Sequence, residues 1–169
     1  MQTATRVRPL PIFLSIVTAI AAPAAEPQAV AAPAATTPKK VFHLGEWERD
    51  IGYAQAVAAG PYLFVSGTVG RGAVDDPEGW VAALKAAYDR IGLTLDAHGI
   101  GFDDVVKETI YTRDIERLKD AAAVRFDYYS KDSLPASTWV QVDRLFEADH
   151  LVEIEVTAVL APPAAPAAR

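Results

Sequence analysis

Cysteine is absent from this chain, which removes disulfides, thiol nucleophiles and cysteine-based zinc sites together. Histidine is scarce. His43, His98 and His150 lie far apart, without the spacing of a few residues that metal-site motifs use, so neither a metal nor a cofactor is expected. Basic residues are the minority, with 16 Lys and Arg against 22 Asp and Glu and a formal net charge of −6. That balance disfavours nucleic acid or an anionic membrane surface as the main partner and leaves small molecules open. The apolar run at residues 10–22 is too short for an ordinary transmembrane helix, and no cysteine follows it to carry a lipid, so no stable membrane anchor is expected. The glycine-rich stretch Ser66-Gly67-Thr68-Val69-Gly70-Arg71-Gly72 lacks the Gly-Lys-Ser/Thr ending of a phosphate loop and the spacing of a dinucleotide fingerprint. It is expected to be a flexible loop beside a pocket.

What is present begins with an export pattern. Arg6 and Arg8 precede the apolar run, and small residues around Ala22-Pro23-Ala24 follow it, in the order of a signal peptide. Residues 1–25 are accordingly expected to be a signal peptide, and the protein periplasmic or secreted. Residues 26–40 are rich in alanine and proline and cannot bury enough side chain to offset the entropy of ordering, so a disordered linker is expected. Residues 161–169 (APPAAPAAR) read as a tail of the same kind. The folded domain should span residues 41–160, and at 51% hydrophobic residues the chain can build a core.

Within that domain the organising stretch is residues 134–159. Thr138, Val140 and Val142 alternate with Ser137, Trp139, Gln141 and Asp143, and Val152, Ile154 and Val156 alternate with Glu153, Glu155 and Thr157. Period-two alternation predicts two strands, each with one aliphatic and one polar face. The short FEADH linker at residues 146–150 predicts that they form an antiparallel hairpin. The valine faces should lie against helices, leaving Ser137, Trp139, Gln141 and the glutamates on the opposite face. Upstream, residues 41–47 suggest a first strand, and residues 53–58 and 63–66 a hairpin through Gly60-Pro61. Asp76 and Pro77 start a helix whose apolar stripe is Trp80, Leu84, Tyr88, Ile91 and Leu95, with Gly99 beyond its end. Residues 105–113 read as a strand. Asp114 caps a second helix with Ile115, Leu118, Ala122, Phe126 and Tyr129 on one face. The order is β-β-β-α-β-α-β-β. Two helices can cover only one face of a sheet of about six strands, so the other face should meet another subunit.

Five ordered segments carry a resemblance: GYAQAV at 52–57, LFVSGTVG at 63–70, FDDVVKETIYTRD at 102–114, PASTWVQVDRL at 135–145 and VEIEVTAV at 152–159. Together they resemble the RidA/YjgF family of reactive-intermediate deaminases across nearly all of residues 45–160. The resemblance implies an α+β, chorismate-mutase-like mixed sheet with two helices on one face, assembled as a homotrimer with a small-molecule pocket between subunits. It also implies hydrolysis of enamines and imines derived from amino acids. In that chemistry an arginine in a Pro-Ala-Arg-Ser motif grips the substrate carboxylate, and a glutamate on the last strand places water. Here the motif reads Pro135-Ala136-Ser137-Thr138, with Ser137 in the arginine's place. Glu153 matches the glutamate, Tyr53 the tyrosine after the early glycine, and Ser66 the serine of the Ser-Gly pair. Ala122 stands where the second helix usually has asparagine.

A serine cannot offer two parallel charged donors, and losing a charge-assisted pair in a closed pocket costs on the order of 2–5 kcal/mol. The candidate site therefore comprises Glu153 as a general base to water and Tyr53, Ser66, Ser137, Trp139 and Gln141 as ligand-binding groups. Arg71, Arg113 and Arg144 are the candidates to replace the missing charge. Three functions compete: a trimer that binds a small metabolite without turning it over, an imine or enamine hydrolase, and a ribonuclease. The acidic charge and the lack of a histidine pair argue against the last. Export has a direct check. The mature protein should begin near Ala24 or Ala25, and full-length protein found in the cytoplasm with Met1 or Gln2 at its start would overturn the assignment.

Overall fold

The computed structural model describes residues 38–160. The expected signal peptide, most of the expected linker and the C-terminal tail lie outside the described residues. Six strands form one mixed sheet in the order β1-β2-β3-β6-β4-β5. They are β1 (Lys40–Phe42), β2 (Ala56–Ala59), β3 (Tyr62–Arg71), β4 (Val105–Thr112), β5 (Ala136–Gln141) and β6 (His150–Val159). Three helices accompany them: α1 (Trp47–Ile51), α2 (Pro77–Asp96) and α3 (Ile115–Ala121). Among the described residues no helix is long and apolar enough to cross a membrane.

Helix α2 forms where its stripe predicts. The Asp76 side chain accepts the Glu78 amide at 3.0 Å, Pro77 occupies the first turn, and Gly99 takes a left-handed φ of 70° just past the end. Trp80, Leu84, Tyr88, Ile91 and Leu95 are fully buried, as are Leu63, Ile110, Leu151, Val152, Ile154 and Ala158 from the sheet. This helix-on-sheet layer is the core, and burying each large side chain contributes about 1.5–3 kcal/mol.

Several sequence expectations are corrected by the tertiary pairing. The last two strands are not a hairpin. β5 pairs in parallel with β4, while β6 pairs antiparallel with both β3 and β4, so β4 lies between them and β5 is an edge. The faces change accordingly. In register with β4, Ser137 lies opposite Glu108, Trp139 opposite Ile110 and Gln141 opposite Thr112, all on the helix-covered side. Thr138 and Val140 face the other way. Glu153 and Glu155 share that open face with Tyr111, whose hydroxyl bonds Glu155 at 3.3 Å. The first strand is shorter than expected, and α1 follows it; five residues are too few to show a helical period. The glycine-rich stretch is β3 itself rather than a loop. The second helix breaks at Ala121 into a 3-10 turn, Ala122–Asp127, leaving Phe126 half exposed.

The reason for the β5 orientation is a buried polar cluster under the helices. Glu108 is fully buried. Its carboxylate accepts the Tyr88 hydroxyl at 2.7 Å, the Arg125 guanidinium at 2.8 and 3.2 Å and the Ser137 hydroxyl at 2.7 Å. Ser137 in turn accepts the Trp139 indole N–H at 2.8 Å, and the Arg125 guanidinium lies 5.5 Å from the Trp139 ring. Burial and then the adjacent carboxylate hold the Tyr88 hydroxyl protonated, far above its ordinary range. Burial alone would lower Arg125, but Glu108 and Tyr88 together outweigh it and keep the cation charged.

Removing one partner of a buried pair leaves an uncompensated charge. Arg125→Met should therefore destabilise the fold by about 3–5 kcal/mol, and the double change Arg125→Met with Glu108→Gln should recover part of that loss. Denaturant unfolding of the two singles and the double checks it. Additive losses would show that the pair is uncoupled.

Candidate functional site

β2 pairs with β3 only from Ala56↔Val65 to Ala59↔Tyr62, so beyond Val65 that side of β3 has no neighbouring strand. Here β3 bulges, with Ser66 and Gly67 inserted between the Val65↔Val156 and Thr68↔Ile154 pairs. Ser66 is held in the bulge by its amide to Gln55 O at 2.9 Å and its hydroxyl to Ala54 O at 2.6 Å. The chain entering β2 swings away through α1. Glu48 anchors that helix: it is fully buried, accepts the Leu44 amide at 3.1 Å and lies 3.3 Å from His43 Nδ1. The resulting notch is a cavity of about 890 Å³ whose wall includes Trp47, Tyr53, Ser66, Arg90, Phe146 and Glu153.

Glu153 lines this cavity. A Cβ on Gly67 would overlap its carboxylate, so the glycine is what lets the acid lie directly against the β3 backbone. Burial, and then the neighbouring Glu155, raise the Glu153 carboxyl above its usual range, the direction a general base working near neutrality needs. The Tyr53 hydroxyl is also raised, by burial first and then by Glu48 and Glu153, with Arg90 opposing. Tyr53 meets Trp47 edge to face at 5.7 Å. His150, also in the wall, is 3% exposed, and its Nε2 has no hydrogen-bond partner. Burial, then Arg71, lower its pKa and keep it neutral.

Three of the six candidate residues, Tyr53, Ser66 and Glu153, are brought together here. The other three are not part of this cavity. Ser137 and Trp139 belong to the Glu108 cluster, and Gln141 caps α3 by accepting the Ile115 amide at 3.0 Å. Of the arginines proposed to replace the missing charge, Arg71 lines the cavity but pairs with Asp149 at 3.2 Å, and Arg113 donates to Ala148 O. Sequence reasoning missed Arg125, Arg90, Trp47 and Phe146. Arg125 had a signal: it falls seven residues after Leu118 on the helical stripe, as Glu108 falls on the inward parity of β4. The others depend on α1 and the β5–β6 connection folding over the β3 edge, which no local period encodes.

The family model described as Endoribonuclease L-PSP matches residues 48–160. A RutC family protein of Synechocystis is 34% identical over 115 residues, covering 64% of this chain and 85% of that protein. A 2-iminobutanoate/2-iminopropanoate deaminase of Capra hircus is 36% identical over 115 residues, covering 65% of this chain and 81% of its own. A crystal structure of a YjgF family member from Mycobacterium tuberculosis superposes with a TM-score of 0.63 at 34% identity, covering 72% of this chain and 99% of that one.

The raised Glu153 carboxyl makes a stability prediction with a definite sign. Between the unfolded and folded pKa values the native state binds the extra proton, so stability falls as pH rises through that window. Above it, the wild type carries a penalty that an amide lacks. Glu153→Gln should therefore be more stable than wild type near pH 8, with the advantage shrinking as pH falls below the ordinary carboxylate range. Thermal unfolding at pH 4 and pH 8 reads this directly, and a pH-independent difference would contradict it.

Proposed function

Because the chain belongs to the Endoribonuclease L-PSP family, we propose that it is an exported homotrimer whose clefts bind a small organic metabolite, and that short 2-imino acids are poor substrates for it. The observation that carries this reading is the state of Ser137. It stands where the resemblance to deaminating relatives places a carboxylate-gripping arginine, and its hydroxyl is occupied by Glu108 at 2.7 Å. It thus brings no positive charge to a ligand, while Tyr53, Ser66 and Glu153 still gather around a cavity of ligand size.

Assembly is supported by the open sheet face, where Tyr62, Phe64 and Val140 are 44%, 48% and 39% exposed. Apolar side chains on an uncovered sheet favour burial against another copy, and the edge position of β5 leaves residues 136–141 free to meet a neighbour's cleft. Export rests on Arg6, Arg8 and the apolar run after them. A second reading is favoured by one observation: the raised carboxyl of Glu153, pressed against Gly67, suits a base that activates water for imine or enamine hydrolysis. Ribonuclease action has less support, since the chain is acidic and the cavity wall holds a single, neutral histidine.

Light scattering of the mature protein should give a trimer mass, and a monomer would remove the intersubunit cleft. On that trimer, a coupled imine-hydrolysis assay should find little turnover of 2-aminoacrylate. A deficit of about 3 kcal/mol corresponds to more than a hundredfold. Ser137→Arg should raise the rate in part, because Trp139 and Glu108 still crowd the position, and Glu153→Gln should abolish whatever turnover exists. Wild-type rates equal to those of an arginine-bearing relative would overturn the proposal in favour of the second reading.

A further inference from the structure

Two arginines line the cavity, Arg71 and Arg90. Arg71 is engaged by Asp149 at 3.2 Å. Arg90, on the exposed side of α2, has no side-chain hydrogen bond or ion pair among the described residues, yet it is close enough to Tyr53 for its charge to act on the phenol. Arg90, Tyr53 and Glu153 all line the one cavity. The wall also carries large apolar side chains. Trp47, Ile51 and Phe146 are 46%, 59% and 72% exposed and all three line the cavity. Large apolar side chains gathered around one concavity are unlike scattered surface hydrophobics and mark a binding surface. At about 890 Å³ the space lies toward the upper end for drug-sized ligands and far exceeds what a four-carbon acid fills.

We propose that Arg90 is the anion anchor of this cleft and that the ligand it selects is an organic carboxylate bearing a bulky, aromatic side group, which packs on Trp47, Tyr53 and Phe146. This rests on the reading of the cavity as a ligand cleft and supplies its specificity. The guanidinium is always charged and presents a planar fork that fits a carboxylate. The aromatic wall favours offset or edge-to-face ring contacts. A carboxylate held at Arg90 leaves the rest of the molecule in the cavity that Tyr53 and Glu153 also line. The charge that position 137 lacks thus comes from a different element, α2, and from a position with room for a larger ligand.

Calorimetric titration of the mature trimer with three probes tests this: 3-phenylpropionate, butyrate, and the neutral 3-phenylpropionamide. Wild type should bind 3-phenylpropionate more tightly than either of the others. Arg90→Gln should weaken the acid by about tenfold or more, the usual scale for a hydrogen bond to a charged group, and leave the amide unchanged; Arg90→Lys should keep part of the affinity. Because Arg90 is exposed and unpaired, neither change disturbs the core. Unchanged binding of the acid by Arg90→Gln overturns the anchor, and if that binding is lost on Trp47→Ala the cleft reading survives. Butyrate or the amide binding as tightly as the aromatic acid overturns the ligand class. No binding of any probe overturns both this inference and the binding reading beneath it.

Discussion

A carboxylate without access to water holds the helix layer and the far edge of the sheet together. Desolvating Glu108 is costly unless every lone pair finds a donor, and the donors come from three separate places: Tyr88 on α2, Arg125 on the turn after α3, and Ser137 on β5. Each must be in position for the others to be satisfied, so the cluster couples the docking of α2, the break at the end of α3 and the register of the edge strand. A low-dielectric polar network of this kind specifies one arrangement strongly because its partial forms are unfavourable. It also explains why β5 turns Val140 outward. Ser137 and Trp139 are needed on the side of Glu108, and a strand cannot present both of its faces to one side.

The cleft depends on a different local constraint. β3 loses its neighbour beyond Val65, bulges at Ser66 and Gly67, and has no side chain at Gly67 to keep Glu153 away. A bulge re-aims the side chains around it, and here it opens the sheet edge at the point where α1 peels off. The consequences run from backbone to chemistry. The Glu153 carboxyl is partly desolvated and raised, Tyr53 lies beside it, and the arginine and aromatics of the wall come from elements far apart in sequence. The same fold can serve different chemistries, as the contrast between the family's ribonuclease description and the deaminase names of relatives shows.

Local periodicity determined a good deal by itself. The α2 stripe, its Asp76 cap and Pro77 start, the strand expected at 105–113 and the alternation of the last strand all follow from side-chain spacing along one element, and each is present, the strand ending one residue earlier at Thr112. The ordered segments were enough to identify the family, and the grouping of Tyr53, Ser66 and Glu153 in one cavity agrees with them. Only the tertiary structure decided which strands are neighbours, which face of β5 meets Glu108, and which arginines line the cavity. An alternating pattern states that a strand has two unlike faces without stating which is inside. That choice was made by Glu108, a charge whose burial becomes tolerable only when Tyr88, Arg125 and Ser137, distant along the chain, converge on it in space.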